Sequence, residues 1–121
     1  CMFHGGVPVY DDYDVSSGML IATPEEGERV ARVLGASNAL LLRGHGCVVV
    51  GVSVAATVMA SIYLRDNAAI QTEAMRMGEP RYLSTEEARA ASRVMGSGLV
   101  IERAWNYWVR RARQAMPDLA V

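Results

Sequence analysis

Residues 39 to 51 read Ala-Leu-Leu-Leu-Arg-Gly-His-Gly-Cys-Val-Val-Val-Gly, two apolar runs on either side of a Gly-His-Gly centre. The second run is too β-branched, and the centre too rich in glycine, for a helix. The segment predicts two buried strands meeting at a tight turn, and strands buried on both faces need other elements to cover them. Thr23-Pro24-Glu25-Glu26 starts one such element, with a capping hydroxyl, a proline at the first helical position and a carboxylate at the third. That helix is expected to run to about Leu34, with Gly35 as a left-handed cap. Ser53 caps a long helix from Val54 to about Met77, whose apolar residues Ala55, Met59, Ile62, Ala69 and Met77 recur at helical spacing; Gly78 stops it. Ser84-Thr85-Glu86-Glu87 opens another helix, carrying Ala88, Ala91 and Met95 and broken by Gly96-Ser97-Gly98. A last helix aligns Ala104, Trp105, Trp108 and Ala112, and Met116-Pro117-Asp118 reads as a tail. Upstream, Val7-Pro8-Val9-Tyr10 predicts a short strand with its proline near the start or on an edge, followed by the turn formers Asp11, Asp12 and Asp14. The class is α/β, and with no repeat or low-complexity linker one domain is expected over 1–121.

Composition narrows the function. All 12 basic residues are arginines, set against 13 acidic ones for a net charge of -1, so the basic excess of a dedicated nucleic-acid binder is missing. The longest apolar stretch, Ala39 to Val52, is broken by Arg43 and His45 and falls short of the ~20 residues a membrane helix needs. No basic-then-apolar leader opens the chain, and the expected location is the cytoplasm. Cys1 and Cys47 lie in unlike contexts and read as free thiols. Without lysine, no Schiff base can form within these residues. The opening Cys1-Met2-Phe3-His4 lies inside an apolar, glycine-containing segment, which leads us to expect a portion of a longer protein.

Among residues able to carry chemistry, His45 stands first. Glycine on both sides lets the backbone bend so that an imidazole can point into a cleft. Its plainer reading is a hydrogen-bonded core histidine. Arg43, two residues earlier, would share a strand face with His45 and offer a carboxylate or phosphate a planar pair of donors; the alternative is a structural ion pair. Cys47 shares that face but reads as a small buried hydrophobe, and His4 lies beside Gly5-Gly6 at the start of the chain. Asp66 and Glu73, seven apart on the long helix, could approach a metal, yet local salt bridges account for them as well. Tyr63, Tyr82 and Tyr107 are possible proton donors, with packing as the alternative. There is neither a phosphate-cradling glycine loop nor a cysteine pair spaced for zinc.

The order of these features adds a resemblance. Leu42-Arg43-Gly44-His45-Gly46-Cys47-Val48-Val49-Val50-Gly51, a capped helix of about 25 residues, then Tyr82-Leu83-Ser84-Thr85-Glu86-Glu87-Ala88 together resemble the C-terminal portion of the class II aldolase/adducin family, from Gly6-Val7-Pro8-Val9 to the Trp-rich helix. The resemblance implies an α/β/α layered domain around a mainly antiparallel sheet, truncated at its N-terminus, and assembly as a homotetramer with sites at subunit interfaces. It implies a divalent metal, such as zinc or manganese, held by three histidines, two from a His-x-His segment and the third being His45, with an acid/base glutamate also upstream. This sequence contains neither the His-x-His pair nor that upstream region.

Sugar-phosphate aldolases of the family typically carry Asn-His-Gly at this turn, whereas Arg43-Gly44-His45-Gly46 looks more like the branch of metal-dependent decarboxylases of hydroxylated aromatic or heteroaromatic carboxylates. Both break a carbon–carbon bond, and a tyrosine or water then protonates the carbon left behind; Tyr82 and Tyr107 are the tyrosine candidates. The expected function is that of a carbon–carbon lyase fragment, with a sugar-phosphate aldolase or a non-catalytic adducin-like association module as alternatives. The expected partners are a small carboxylate or sugar phosphate and further copies of the chain.

Overall fold

The computed structural model describes residues 2–118. They divide into two compact units, residues 5–50 and residues 2–4 with 51–118. Cys1, expected to be a free thiol, lies outside the described residues.

The first unit is a three-stranded sheet with one helix. Strand β1 (Val9–Tyr10), helix α1 (Pro24–Leu34), β2 (Ala39–Leu42) and β3 (Gly46–Val49) follow in chain order, and the sheet order is β1-β2-β3. β2 and β3 are the two arms of the Gly-His-Gly segment and pair antiparallel, Leu41 opposite Cys47 and Leu42 opposite Gly46. β1 pairs with β2 in parallel, so the sheet is mixed where a mainly antiparallel one was expected. The reason is the connection: α1 carries the chain back between β1 and β2, as a parallel pair requires. β1 is shorter than the expected Val7–Tyr10, and Pro8, just before it on the sheet edge, still accepts the Leu41 N–H at 2.8 Å.

Local chemistry sets α1 as the sequence predicts. Thr23 Oγ1 accepts the Glu26 N–H, and Glu26 reaches back to the Thr23 N–H at 2.9 Å and the Ala22 N–H at 2.8 Å. Those two donors hold the Glu26 carboxyl below its usual pKa, and the residue is buried. Gly35 has φ 53° but ψ -126°, so it closes the helix outside the left-handed helical region expected for it; its N–H bonds Ala31 O. The core of this unit is Tyr10, Val30 and Leu40, flanked by Tyr13, Leu34, Leu42 and Val48. β3 is less buried than expected: Gly46 and Cys47 are exposed, and Leu41 across from Cys47 is 39% exposed.

The second unit is helical: α2 (Val54–Met77), α3 (Thr85–Met95) and α4 (Gly98–Ala115), with α4 packed on both α2 and α3. Ser53 caps α2, and Ser84 with Glu87 forms the second capping box. The α2 stripe divides: Met59 is buried and Ile62 half-buried, while Ala69 and Met77 are exposed. Ala104, Trp105, Trp108 and Ala112 of α4 are all half-buried. No helix among the described residues is long and apolar enough to cross a membrane.

Candidate functional site

Because β1 and β2 are parallel, the chain leaving β1 and the turn leaving β2 emerge at the same end of the sheet, the end where open α/β sheets gather ligand contacts. Leu42 O accepts the His45 N–H at 3.0 Å, and Gly44 between them has φ +79°, the value the third residue of a type II turn requires. Arg43 and His45 therefore belong to this turn rather than to one extended strand face, as the spacing had suggested. Arg43 N–H bonds Tyr10 O at 3.1 Å, tying the turn to β1.

Among the described residues His45 is exposed rather than packed in the core. Its imidazole packs on Tyr13, ring centroids 5.2 Å apart and planes at 41°, and Tyr13 in turn meets Tyr10 edge-on at 4.9 Å. After Tyr13, the Asp14 carboxylate accepts the Ser16 hydroxyl at 2.6 Å and N–H at 2.8 Å and caps the short 3-10 turn Val15–Ser17. Those bonds keep the Asp14 carboxyl below its ordinary pKa. The Tyr13 hydroxyl oxygen is buried and has no hydrogen-bond partner among the described residues. Loss of water pushes this phenol above its usual pKa and Tyr10 adds to the effect; Arg43 opposes it and Asp11 reinforces it. The Arg43 Nε–H donates to Asp11 Oδ1, both side chains being 59% exposed.

Sequence reasoning named Arg43 and His45 and missed Asp11 and Tyr13. The available signal is the Asp-Asp-Tyr-Asp run directly after a strand, whose three aspartates also suit a plain turn.

The other candidates lie elsewhere. Cys47 is exposed and free, not the buried small hydrophobe expected, and lies opposite the 39% exposed Leu41. His4 is exposed and belongs to the second unit. Asp66 pairs with Arg65 at 2.7 Å and Glu73 with Arg76 at 3.5 Å, the local salt bridges of the plainer reading. Tyr82 and Tyr107 also belong to the second unit. Tyr82 accepts from Gln71 at 3.4 Å, and Tyr107 accepts from Arg111 at 3.4 Å while packing edge-on against Trp108. No three His, Cys, Asp or Glu side chains among the described residues come together as a metal site. Catalytic zinc commonly takes three protein ligands, so these residues, with His45 as one candidate donor, do not by themselves fit a divalent ion.

Residues 1–72 match the family described as class II aldolase and adducin N-terminal domain. The chain belongs to the class II aldolase/adducin family. Its enzymes are generally lyases and typically depend on a metal. Over 99% of its length the chain is 32% identical to a protein of Streptomyces niveus named decarboxylase NovR, covering 43% of that protein. It is also 32% identical, over 99% of its length, to a protein of Streptomyces roseochromogenus subsp. oscitans named 4-hydroxy-3-prenylphenylpyruvate oxygenase/4-hydroxy-3-prenylbenzoate synthase, covering 42% of it. The chain thus spans about two fifths of the length of these curated relatives. The family match ends within α2, whereas the alignments with these two relatives run over nearly the whole chain, α3 and α4 included.

Proposed function

We propose that the complete protein is a divalent-metal-dependent carbon–carbon lyase that decarboxylates a hydroxylated aromatic or heteroaromatic carboxylate. The observation that carries this reading is the exposed His45 imidazole, presented beside Arg43 on the turn at the ligand-gathering end of the sheet in a class II aldolase-family chain. The relatives support the substrate class: one is named a decarboxylase, the other for an aromatic keto acid and an aromatic carboxylate. In this reading His45 is one metal ligand, the remaining ligands come from outside the described residues, and Arg43 contacts the substrate carboxylate. The carbon left by carbon dioxide takes its proton from a tyrosine or water. Assembly as a homo-oligomer of the family's tetrameric kind belongs to the same reading. It is supported by large apolar side chains left exposed on the second unit, Val52, Ile70 and Met77 among them.

The test is metal analysis and carbon dioxide release by the complete protein and its His45→Ala variant. The expected result is loss of both; full metal content and activity in the variant overturn the reading. The alternative is a non-catalytic association module. A complete protein that stays metal-free and inactive after incubation with zinc or manganese would establish that alternative.

A further inference from the structure

The turn and the segment after β1 hold two side chains, Tyr13 and Arg43, whose polar groups are left without a partner or held only by an exposed one. A buried hydroxyl without a partner loses its water for nothing, and buried polar groups in folded proteins are nearly always paired. Tyr13 bears such a hydroxyl on a ring packed against His45. Beside it Arg43 is engaged by Asp11, 32 residues away in sequence, in a pair that is 59% exposed on both sides. Exposed pairs of this kind hold weakly and exchange one anion for another readily. A carboxylate on Arg43 is what the reading above asks the substrate to supply, and here a protein carboxylate already occupies that position.

Resting on that reading, we propose that Arg43 and the Tyr13 hydroxyl form the substrate-carboxylate site beside His45, and that Asp11 is a resident competitor which the incoming carboxylate displaces from the guanidinium. The exchange forms and breaks no covalent bond. Asp11 Oδ1 leaves the Arg43 Nε–H, a substrate oxygen takes its place, and the Tyr13 O–H, which has no partner beforehand, donates to the same ligand.

The test measures binding of 4-hydroxybenzoate to the complete protein by calorimetry, with the neutral 4-hydroxybenzamide as control. Removing a competitor improves binding, which a merely structural residue does not do. Asp11→Asn is expected to tighten 4-hydroxybenzoate by up to about fivefold, to leave the amide unchanged, and to lose this gain when Arg43→Gln is also present. Arg43→Gln and Tyr13→Phe are each expected to weaken 4-hydroxybenzoate by about tenfold or more. Tyr13→Phe should do so with a melting temperature unchanged or raised, since the hydroxyl it removes has no partner. The proposal is overturned if Asp11→Asn fails to tighten binding, tightens the amide equally, or still tightens binding in the Arg43→Gln protein. It is overturned equally if Tyr13→Phe leaves binding intact or if the wild-type protein takes up no 4-hydroxybenzoate. His45→Ala is read separately: retained metal and activity there refute the lyase reading, whereas failure of the Asp11 and Tyr13 arms with His45 essential refutes only the exchange.

Discussion

The turn that presents His45 is flanked by two glycines whose replacement costs different amounts for a reason confined to the backbone. At Gly44, φ is +79°, and at Gly46 it is +128°; a Cβ built on either meets nothing within 4 Å. Steric contact therefore drops out, and only conformational energy remains. An L residue held in the left-handed region loses roughly 1–2 kcal/mol. Replacing glycine also removes freedom from the unfolded chain, which offsets about 0.4–1 kcal/mol of that loss. Gly44→Ala is thus expected to cost about 1 kcal/mol. Gly46 lies further out, where backbone strain for other residues reaches about 1–3 kcal/mol, so Gly46→Ala should cost about 1–2 kcal/mol. Asn tolerates the left-handed region, and Gly44→Asn should fall within about 0.5 kcal/mol of wild type. Urea unfolding of the complete protein measures these differences. At ordinary slopes of about 1–3 kcal/mol per molar, a loss of 1 kcal/mol moves the midpoint down by roughly 0.3–1 M with the slope unchanged. The reasoning fails if Gly46→Ala is no worse than Gly44→Ala, or if Gly44→Asn is as damaging as Gly44→Ala.

Leu40 is fully buried at the centre of the first unit, so Leu40→Ala should destabilise the protein by about 2–5 kcal/mol, seen as a large drop in melting temperature. The Glu26 carboxyl has a lowered pKa in the folded state, so its contribution is present above the ordinary carboxyl pKa and is lost as pH falls through the lowered one. Glu26→Gln should accordingly flatten the acid limb of a stability-versus-pH curve, and an unaltered limb would refute the assignment. Ser84→Ala should cost about 0.5–2 kcal/mol through loss of the α3 cap, and Ser84→Gly only a few tenths, by the same urea assay.

What could be read from the sequence follows the range of the interactions. The helix starts at Thr23, Ser53 and Ser84 are matched because each is decided within four residues, by a hydroxyl and, at two of them, a returning carboxylate. The β2–β3 hairpin is matched because Gly44 and His45 of the Gly-His-Gly centre lie in the turn and Gly46 opens β3. The parallel β1–β2 pairing escaped because two hydrogen-bonded residues, Val9 and Tyr10, leave almost no periodic pattern, and their partners lie beyond an intervening helix. The exposure of Cys47 escaped because an apolar run states what a strand prefers to cover it, and the described residues leave Cys47 itself uncovered.

The same rule divides the site. His45 and Arg43 are neighbours in sequence and could be named from it, but their geometry was misjudged, since alternation along a strand does not apply inside a type II turn. Asp11 and Tyr13 reach them only through the parallel pairing, which brings the end of β1 to the end of β2. A site assembled in this way has a local half, fixed by a hydrogen-bonded turn, and a non-local half, held by one exposed ion pair and a ring contact. The local half rests on a backbone hydrogen bond, while the weak bonds of the other half can be given up on binding. Asp11 and Tyr13 are therefore the positions where ligand-dependent change should concentrate, and the residues a strictly local reading of the sequence is least able to find.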